Sequence, residues 1–346
     1  MDKGIVGLRN RGNTCYLNTS IQCLSHIPDL TDYILNNEYV DDLNNRFQDL
    51  RGGKMNEILL SKEYTKLIKA MWNSNSAIEP RTFHELIQRL DSRFKGFDQQ
   101  DSQESLAFIL DHLHEGLKYE ADISFNGIIE NDVDEIMVES IKNWKVELKD
   151  QYSIIVELFF GQFINKIVSM EENHTKDKII SKTFEVFNML NIPIHGSTLY
   201  DSLSMYFGKE ILETKYFHEK TNEHMSAYRQ IKLMKIPKFL ILVLKRYNNI
   251  TGNLKKSNNI ITFPLEELDL SNYAEGYDRF ECKLDLVCVG CHKGILNGGH
   301  YFSICKHRNN NWYKYDDESI TKFDIITDIG NIFRDGYILI YKKQEI

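Results

Sequence analysis

The first third of the chain repeats its apolar positions with a helical period. In NTCYLNTSIQCL, Leu17, Ile21 and Leu24 stand at i, i+4 and i+7, and Pro28 closes the segment. EILLSKEYTKLIKAMW (57–72) keeps the same period. After Glu79-Pro80-Arg81, Phe83, Leu86, Ile87 and Leu90 fall on one side of a further predicted helix. Another apolar face runs through Leu106, Ile109, Leu110, Leu113 and Leu117, with Asp101 or Ser102 able to cap it. Gln99, Gln100, Asp101, Gln103 and Glu104 gather at the N-terminal end of that helix, where capping chemistry is the simplest account of them.

From Ser153 the pattern changes. IIVELFFGQFINKIV (154–168) is β-branched and aromatic, with Gly161 as a bend or bulge; KTFEVFNMLNIPI (182–194) and IKLMKIPKFLILVLKRY (231–247) are similar. FLILVL is a near-continuous apolar run suited to a strand buried on both faces. Further strands are predicted at 259–268, 280–290, 300–307, 311–316 and 336–343. Helices first and strands after read as an α+β fold, its two halves packed as lobes around a cleft. Residues 119–139 hold seven acidic side chains and no Lys or Arg, as expected of a solvated loop, a short exposed helix or an insertion. One domain across 1–346 is expected: a helical part to about 118, an acidic insertion and connector over about 119–150, and a strand-rich part over about 151–346.

Charge and cysteine usage narrow the function classes. The 50 Asp plus Glu outnumber the 42 Lys plus Arg, a balance of −8 that argues against a nucleic-acid partner. Six irregularly spaced Cys do not make a disulfide framework in a chain of 346 residues. MDKGIVGLRN has no apolar leader core, Asp2 stands where myristoylation requires glycine, and no run of about 18 apolar residues occurs. A soluble intracellular monomer is expected, cytoplasmic or nuclear, with reduced thiols and no membrane partner.

The candidate chemistry starts at Cys15. Gly7, Gly12, Asn10, Asn13 and Asn18 surround it, and Asn13 or Thr14 can cap the helix that follows. A cysteine in the first turn of a helix meets partial positive charge, which favours thiolate over thiol. Taken alone it is as easily a small buried hydrophobe, the role expected of Cys23. A nucleophile needs a base, and of the 11 His only His300 has a suggestive setting, directly after Gly298-Gly299 at the start of a strand. An orienting acceptor is available in Asp316-Asp317, which otherwise reads as a turn pair after a strand. A loose five-residue loop at 306–310, centred on Arg308, sets Asp316 opposite His300. A tighter turn at Asn309-Asn310 sets Asp316 opposite Ser303, about 10 Å along the strand from His300.

Together, GLRNRGNTCYLN, QQDSQESLAFILDHLHE and GGHYFSICKH…WYKYDD resemble the Cys box, Gln-Asp box and His box of the ubiquitin-specific protease family. SIIVELFFGQF, IPKFLILVLKRY, ITFPLEELDL, LDLVCVGCHKG and DGYILIYKK follow the family's order, so the resemblance runs from Gly7 to about Lys343. It implies a papain-like cysteine peptidase fold with a helical thumb, a β-sheet palm and β-fingers that grip ubiquitin. The implied activity is a thiol-dependent deubiquitinase acting after the C-terminal Gly of ubiquitin on ubiquitinated proteins. A ubiquitin-like modifier as substrate, or a non-catalytic ubiquitin-binding module, are the alternatives. The resemblance makes Cys15 the nucleophile, His300 the general base and acid, Asp316 the orienting carboxylate and Asn10 an oxyanion-hole amide. It sets Asp101 and Glu104 beside the arginine-rich ubiquitin tail, and Gly298 and Gly299 along a narrow channel for its Gly-Gly end.

Two departures from the family pattern stand out. The zinc-binding Cys-x-x-Cys pairs of the fingers are replaced by VSMEENH (168–174), without Cys, and by His218 and Thr221 in YFHEKT. No structural zinc is therefore expected. Cys288 and Cys291 have that spacing, but lie in a predicted strand with alternate facing and no second pair. Ser105 replaces a usual aromatic, so altered packing is expected around it.

Overall fold

The run FLILVL divides the interior in two. In the computed structural model, which describes residues 2–48, 55–96, 98–171, 179–219, 221–250, 253–280, 282–295 and 298–345, it is buried from end to end within a strand at Phe239–Lys245. Side chains alternate across a strand. Phe239, Ile241 and Val243 therefore join one apolar core, and Leu240, Leu242 and Leu244 another.

The chain opens with helices α1 (Cys15–Ser25), α2 (Pro28–Leu35), α3 (Tyr39–Gln48), α4 (Met55–Asn73), α5 (Arg81–Leu90), α6 (Ser102–Leu117), α7 (Asp132–Leu148) and α8 (Ile154–Phe159). Strands β1 (Gly161–Ser169), β2 (Ile179–Phe187) and β3 (Leu190–Pro193) follow, then α9 (Leu199–Tyr206). The short strands β4 (Glu210–Ile211), β5 (Tyr216–His218) and β6 (Glu223–Met225) precede β7 (Ala227–Lys235), β8 (Phe239–Lys245), β9 (Tyr247–Ile250) and β10 (Asn253–Lys256). Then come β11 (Leu268–Asp269), β12 (Lys283–Lys293), β13 (His300–Lys306), β14 (Trp312–Asp316), β15 (Ser319–Phe323), α10 (Ile329–Asp335) and β16 (Gly336–Lys343).

The larger sheet has the order β15-β14-β13-β12-β16-β8-β3, with β11 on β12; only β3 and β8 pair in parallel. The second sheet, β2-β1-β7-β4, is antiparallel. The first core fills the space between the N-terminal helices and one face of the large sheet. Leu17, Ile21 and Leu24 of α1 and Leu106, Ile109, Leu110 and Leu113 of α6 meet Phe239, Ile241, Cys288, Cys305 and Ile338 there. Each such aliphatic side chain contributes about 1.5–3 kcal/mol on burial. Among the described residues no helix is long and apolar enough to cross a membrane.

Two sequence expectations are corrected and a third is met in part. IIVELF forms α8, not a strand: Ser153 caps it, its Oγ accepting from Val156 N at 3.3 Å, and Ile155, Val156, Leu158 and Phe159 are all buried. A segment enclosed on several sides, without a neighbouring strand, can pair its backbone groups internally only as a helix. Residues 259–268 are not a continuous strand. Pro264 supplies no ladder donor, and pairing is limited to a bridge from Thr262 to Thr198 and the two residues of β11. The acids of 119–139 are partly accounted for by α7, where Asn131 and Asp134 form a capping box. Asp132, Asp134 and Glu135 stand at the positive end of that helix. Trp144 and Leu148 pack it against Val156 of α8.

The β13–β14 hairpin takes neither register considered from the sequence. Ser303 pairs with Tyr315 and Lys306 with Trp312, across a five-residue loop at 307–311. Continued one step, this register sets Asp316 level with Phe302. His300 is the next residue on the same face, a diagonal neighbour within reach of a long side chain.

Arg246, directly after β8, has no exposed surface. Its guanidinium donates to the carbonyls of Gly336 (2.6 Å), Asn259 (2.7 Å), Phe333 (3.0 Å) and Ser257 (3.3 Å). It ties the end of β8 to the 257–259 loop and to the α10–β16 junction. Burial pushes its pKa down, yet the four acceptors suit a planar fork of donors and not an ammonium. Arg246→Met is expected to leave these carbonyls unsatisfied and lower the unfolding free energy by about 3 kcal/mol or more. Arg246→Lys should fall between wild type and Met. Urea denaturation checks both, and a Met variant as stable as wild type would refute the assignment.

Candidate active site

Cys15 opens α1 at the end of a tightly wound loop. Gly12 and Asn13 both take positive φ, +89° and +55°, which turns the chain abruptly before the helix. The expected capping by Thr14 is absent. Thr14 holds the N-cap position, but its hydroxyl turns back into the loop, accepting from Arg11 N at 3.0 Å and donating to Asn10 Oδ1 at 3.1 Å. Asn10 Oδ1 also accepts from Gly12 N (2.9 Å) and Thr14 N (3.1 Å). One amide oxygen thus organises the loop, and the first turn of α1 carries no side-chain cap. Every residue of α1 is buried, Cys15 included.

His300 begins β13 and Asp316 ends β14. His300 Nε2 bonds Asp316 Oδ1 at 2.6 Å. Interaction with Cys15, opposed by burial and reinforced by Asp316, raises the His300 pKa to about 9. Burial alone would raise the Asp316 carboxyl, but hydrogen bonds from Lys314 and His300 outweigh it and hold the group below its usual range. Lys314 Nζ lies 2.6 Å from Asp316 Oδ2.

Asp317, read from the sequence as half of a turn pair, takes positive φ (+52°) in the turn to β15 and carries more than a turn. Its carboxylate accepts from Asn10 Nδ2 and Asn18 Nδ2, each at 2.8 Å, and lies 4.0 Å from His300 Nε2. Leu8 N donates to the Asp317 carbonyl at 2.9 Å. A Cβ on Gly7 would stand 2.6 Å from the Glu318 carbonyl oxygen, so only glycine lets the backbone come this close. The segment around Cys15 is therefore plugged into the turn beside His300. Asn10 and Asn18 are visible in the sequence, but nothing local marks Asp317 as their shared acceptor.

The residues expected along a substrate channel are differently engaged. Asp101 caps α6, accepting from Gln103 N at 2.7 Å, and takes the Tyr337 hydroxyl at 2.9 and 2.7 Å on its two oxygens. Burial, opposed by these bonds, raises its pKa. Asp101 thus fits the capping reading of the Gln-Asp box, and the same carboxylate also reaches across to the sheet. Glu104 is exposed and lies 3.3 Å from Arg93. Gly298 is exposed and Gly299 buried. Gly299 is closely packed, since a Cβ there would fall 1.9 Å from His292 Nε2. Buried His292 fills the space, held by Tyr247 OH at 2.8 Å from its Nδ1. Gln99 pairs with Gly299, its Oε1 accepting from Gly299 N at 3.0 Å and its Nε2 donating to Gly299 O. That pairing brings the Gln-Asp box to the residue before His300. Ser105 leaves no gap; it packs against Ser20 of α1, Oγ to Oγ at 2.7 Å.

The finger positions do not fit a tetrahedral zinc. The sequence has no Cys between Cys23 and Cys282, and His218 Nδ1 bonds Thr221 Oγ1 at 2.9 Å. Residues 172–174 of the first expected pair lie outside the described residues. Cys288 and Cys291 belong to opposite cores, on opposite faces of β12.

With this geometry in hand, comparison with known proteins is consistent across sequence and fold. Ubiquitin carboxyl-terminal hydrolase 2 of Homo sapiens is 29% identical over 366 residues, covering 98% of this chain and 55% of that protein. Probable ubiquitin carboxyl-terminal hydrolase 4 of Schizosaccharomyces pombe is 29% identical over 358 residues, covering 99% and 59%. The chain thus spans a little over half the length of these relatives. A solved structure described as the SAGA Ubp8/Sgf11/Sus1/Sgf73 DUB module bound to ubiquitin aldehyde superposes with a TM-score of 0.75 at 22% identity, covering all of this chain and 70% of that one. The two share a fold, the papain-like α+β arrangement of helical thumb, sheet palm and β-fingers. The family profile described as "Ubiquitin carboxyl-terminal hydrolase" matches residues 6–341, nearly the whole sequence, and the chain belongs to that family.

Proposed function

We propose that this chain is a thiol-dependent deubiquitinase, hydrolysing the isopeptide or peptide bond after the C-terminal Gly of ubiquitin. The observation that carries the reading is the His300–Asp316 hydrogen bond with Cys15 acting on the same imidazole, in a chain of this family. Cys15 attacks the glycyl carbonyl as the thiolate, the His300 imidazolium protonates the leaving lysine amine, and water activated by His300 then releases the thioester. Asp316 holds the ring through Nε2, which directs the other nitrogen to the sulfur. Asn10 is the proposed oxyanion donor. Its Nδ2 carries two hydrogens and Asp317 takes one, which supports a fixed amide with a second N–H to offer. The uncapped first turn of α1 adds backbone donors at the same place.

Glu104 is proposed to meet the basic tail of ubiquitin directly. Asp101 is proposed to act there through its charge, since its oxygens are already bonded internally. Gly298 is proposed to line the channel. We propose further that the fingers hold no zinc and that the chain acts as a monomer inside the cell.

Wild-type protein is expected to form a covalent adduct with a ubiquitin C-terminal electrophile, and Cys15→Ala to form none. Adduct on the Ala variant, or its absence on wild type, would remove the reading. Parallel electrophiles on ubiquitin-like modifiers decide whether ubiquitin is the preferred substrate. Asp316→Asn is expected to lower kcat by about 10²–10⁴-fold, as loss of an orienting carboxylate does elsewhere. The pH dependence follows from the direction of the His300 shift. Its proton is kept through neutral pH and lost as pH rises through about 9. kcat/KM should therefore hold across neutrality and decline above about pH 9; a decline beginning near the ordinary His value contradicts this. Elemental analysis should find zinc well below one equivalent per chain, and a full equivalent would overturn the metal-free fingers.

A further inference from the structure

Lys314 ends on the carboxylate that holds His300. Its Nζ lies 2.6 Å from Asp316 Oδ2, while Oδ1 of the same group accepts from His300 Nε2 at 2.6 Å. Ammonium, carboxylate and imidazole stand in line along one side of the β13–β14 hairpin. Lys314 and Asp316 are two apart on β14 and so share a face. The Lys314 ammonium is also 4.4 Å from the Phe302 ring centroid, and its side chain is only 31% exposed. A lysine merely solvated at a sheet surface would have neither restraint.

The terminal torsion of an aspartate is broad and poorly fixed by rotamer preference. Register adds to the problem, because His300 is a diagonal and not a direct partner of Asp316. A single bond across that diagonal leaves the carboxylate free to swing. There is also a competitor, since Asp317 lies 4.0 Å from the same Nε2. The groups facing His300 are Cys15 from α1, Asp316 and, through it, Lys314 from β14, Asp317 from the β14–β15 turn, and His292 from β12. Burial holds His292 neutral at physiological pH. Lys314 is thus the cation of this group, set against two carboxylates.

We propose that Lys314 is a positioning residue for catalysis: it fixes the rotation of Asp316 and offsets one of the two carboxylate charges beside His300. The proposal rests on the deubiquitinase reading for its effect on turnover, but not for its effect on the ring. Without Lys314, two carboxylates face the imidazole with less compensation, which stabilises the imidazolium. His300 then holds its proton to higher pH and gives it up less readily to the leaving amine. Asp316 also spends more time out of line.

The test compares Lys314→Met, similar in length without charge, with Lys314→Arg. On ubiquitin carrying a fluorogenic C-terminal amide, Lys314→Met is expected to lower kcat about tenfold with KM little changed. The alkaline limb of kcat/KM should move to higher pH, and Lys314→Arg should restore both. A fall in kcat with an unmoved limb and no recovery in Arg would make Lys314 merely structural; an unchanged rate and limb would overturn the proposal outright. NMR titration of the His300 ring needs no substrate: its midpoint should rise in Lys314→Met and return in Lys314→Arg, and an unmoved midpoint overturns the charge argument. Failure of wild type to act on ubiquitin, with the ring titration behaving as expected, would count against the substrate and not against Lys314. Far-UV circular dichroism and the thermal midpoint check that the Met variant is folded.

Discussion

The contact on which this structure depends is between the loop before Cys15 and the turn after Asp316. Cys15 rides on a helix and His300 on a strand, nearly three hundred residues later, so their chemistry requires two distant segments to be held in a fixed relation. Asp317 supplies that relation by taking an amide from Asn10 and another from Asn18. Gly7 and Leu8 add backbone contact at the same turn. Charged acceptors make the stronger hydrogen bonds, and these are directed ones. The turn that follows Asp316 is thereby the socket for the loop before Cys15.

This docking works because the elements behind it are rigid. Helix α1 is buried along its whole length, against the other N-terminal helices and the face of β12 and β13. β8 separates that core from a second one on the far side of the sheet. Arg246 fixes the end of β8 to the α10–β16 junction without any carboxylate partner in contact. Its desolvation is tolerated because four carbonyls replace water around the guanidinium. The site is therefore set on elements that have little freedom to shift, as preorganised chemistry requires.

Electrostatics at the site follow from geometry and not from net charge. The chain is acidic overall, yet the local balance at His300 is set by two carboxylates, one thiol and one lysine within a few ångströms. Asp316 stays ionised although partly buried, because Lys314 and His300 both donate to it. His300 is raised well above its ordinary value because its partners favour the imidazolium. Asp101 and His292 are held the other way by burial, and both sit where the Gln-Asp box meets the sheet.

The sequence by itself determined helices α1, α4, α5 and α6, the buried strand at FLILVL, the order of the halves and the identity of Cys15, His300 and Asp316 as candidates. These are legible because periodicity and local composition report on how each segment meets a core. It could not determine the register of the β13–β14 hairpin, which depends on how His307 to Asn311 turn. It missed α8, since a β-branched hexapeptide becomes a helix only when its surroundings offer no strand to pair with. It could not show that His292 from a neighbouring strand packs against Gly299. Above all it could not show that Asn10, Asn18 and Asp317 share hydrogen bonds. Those pairings join residues from opposite ends of the chain, and only the tertiary fold decides which donors and acceptors meet.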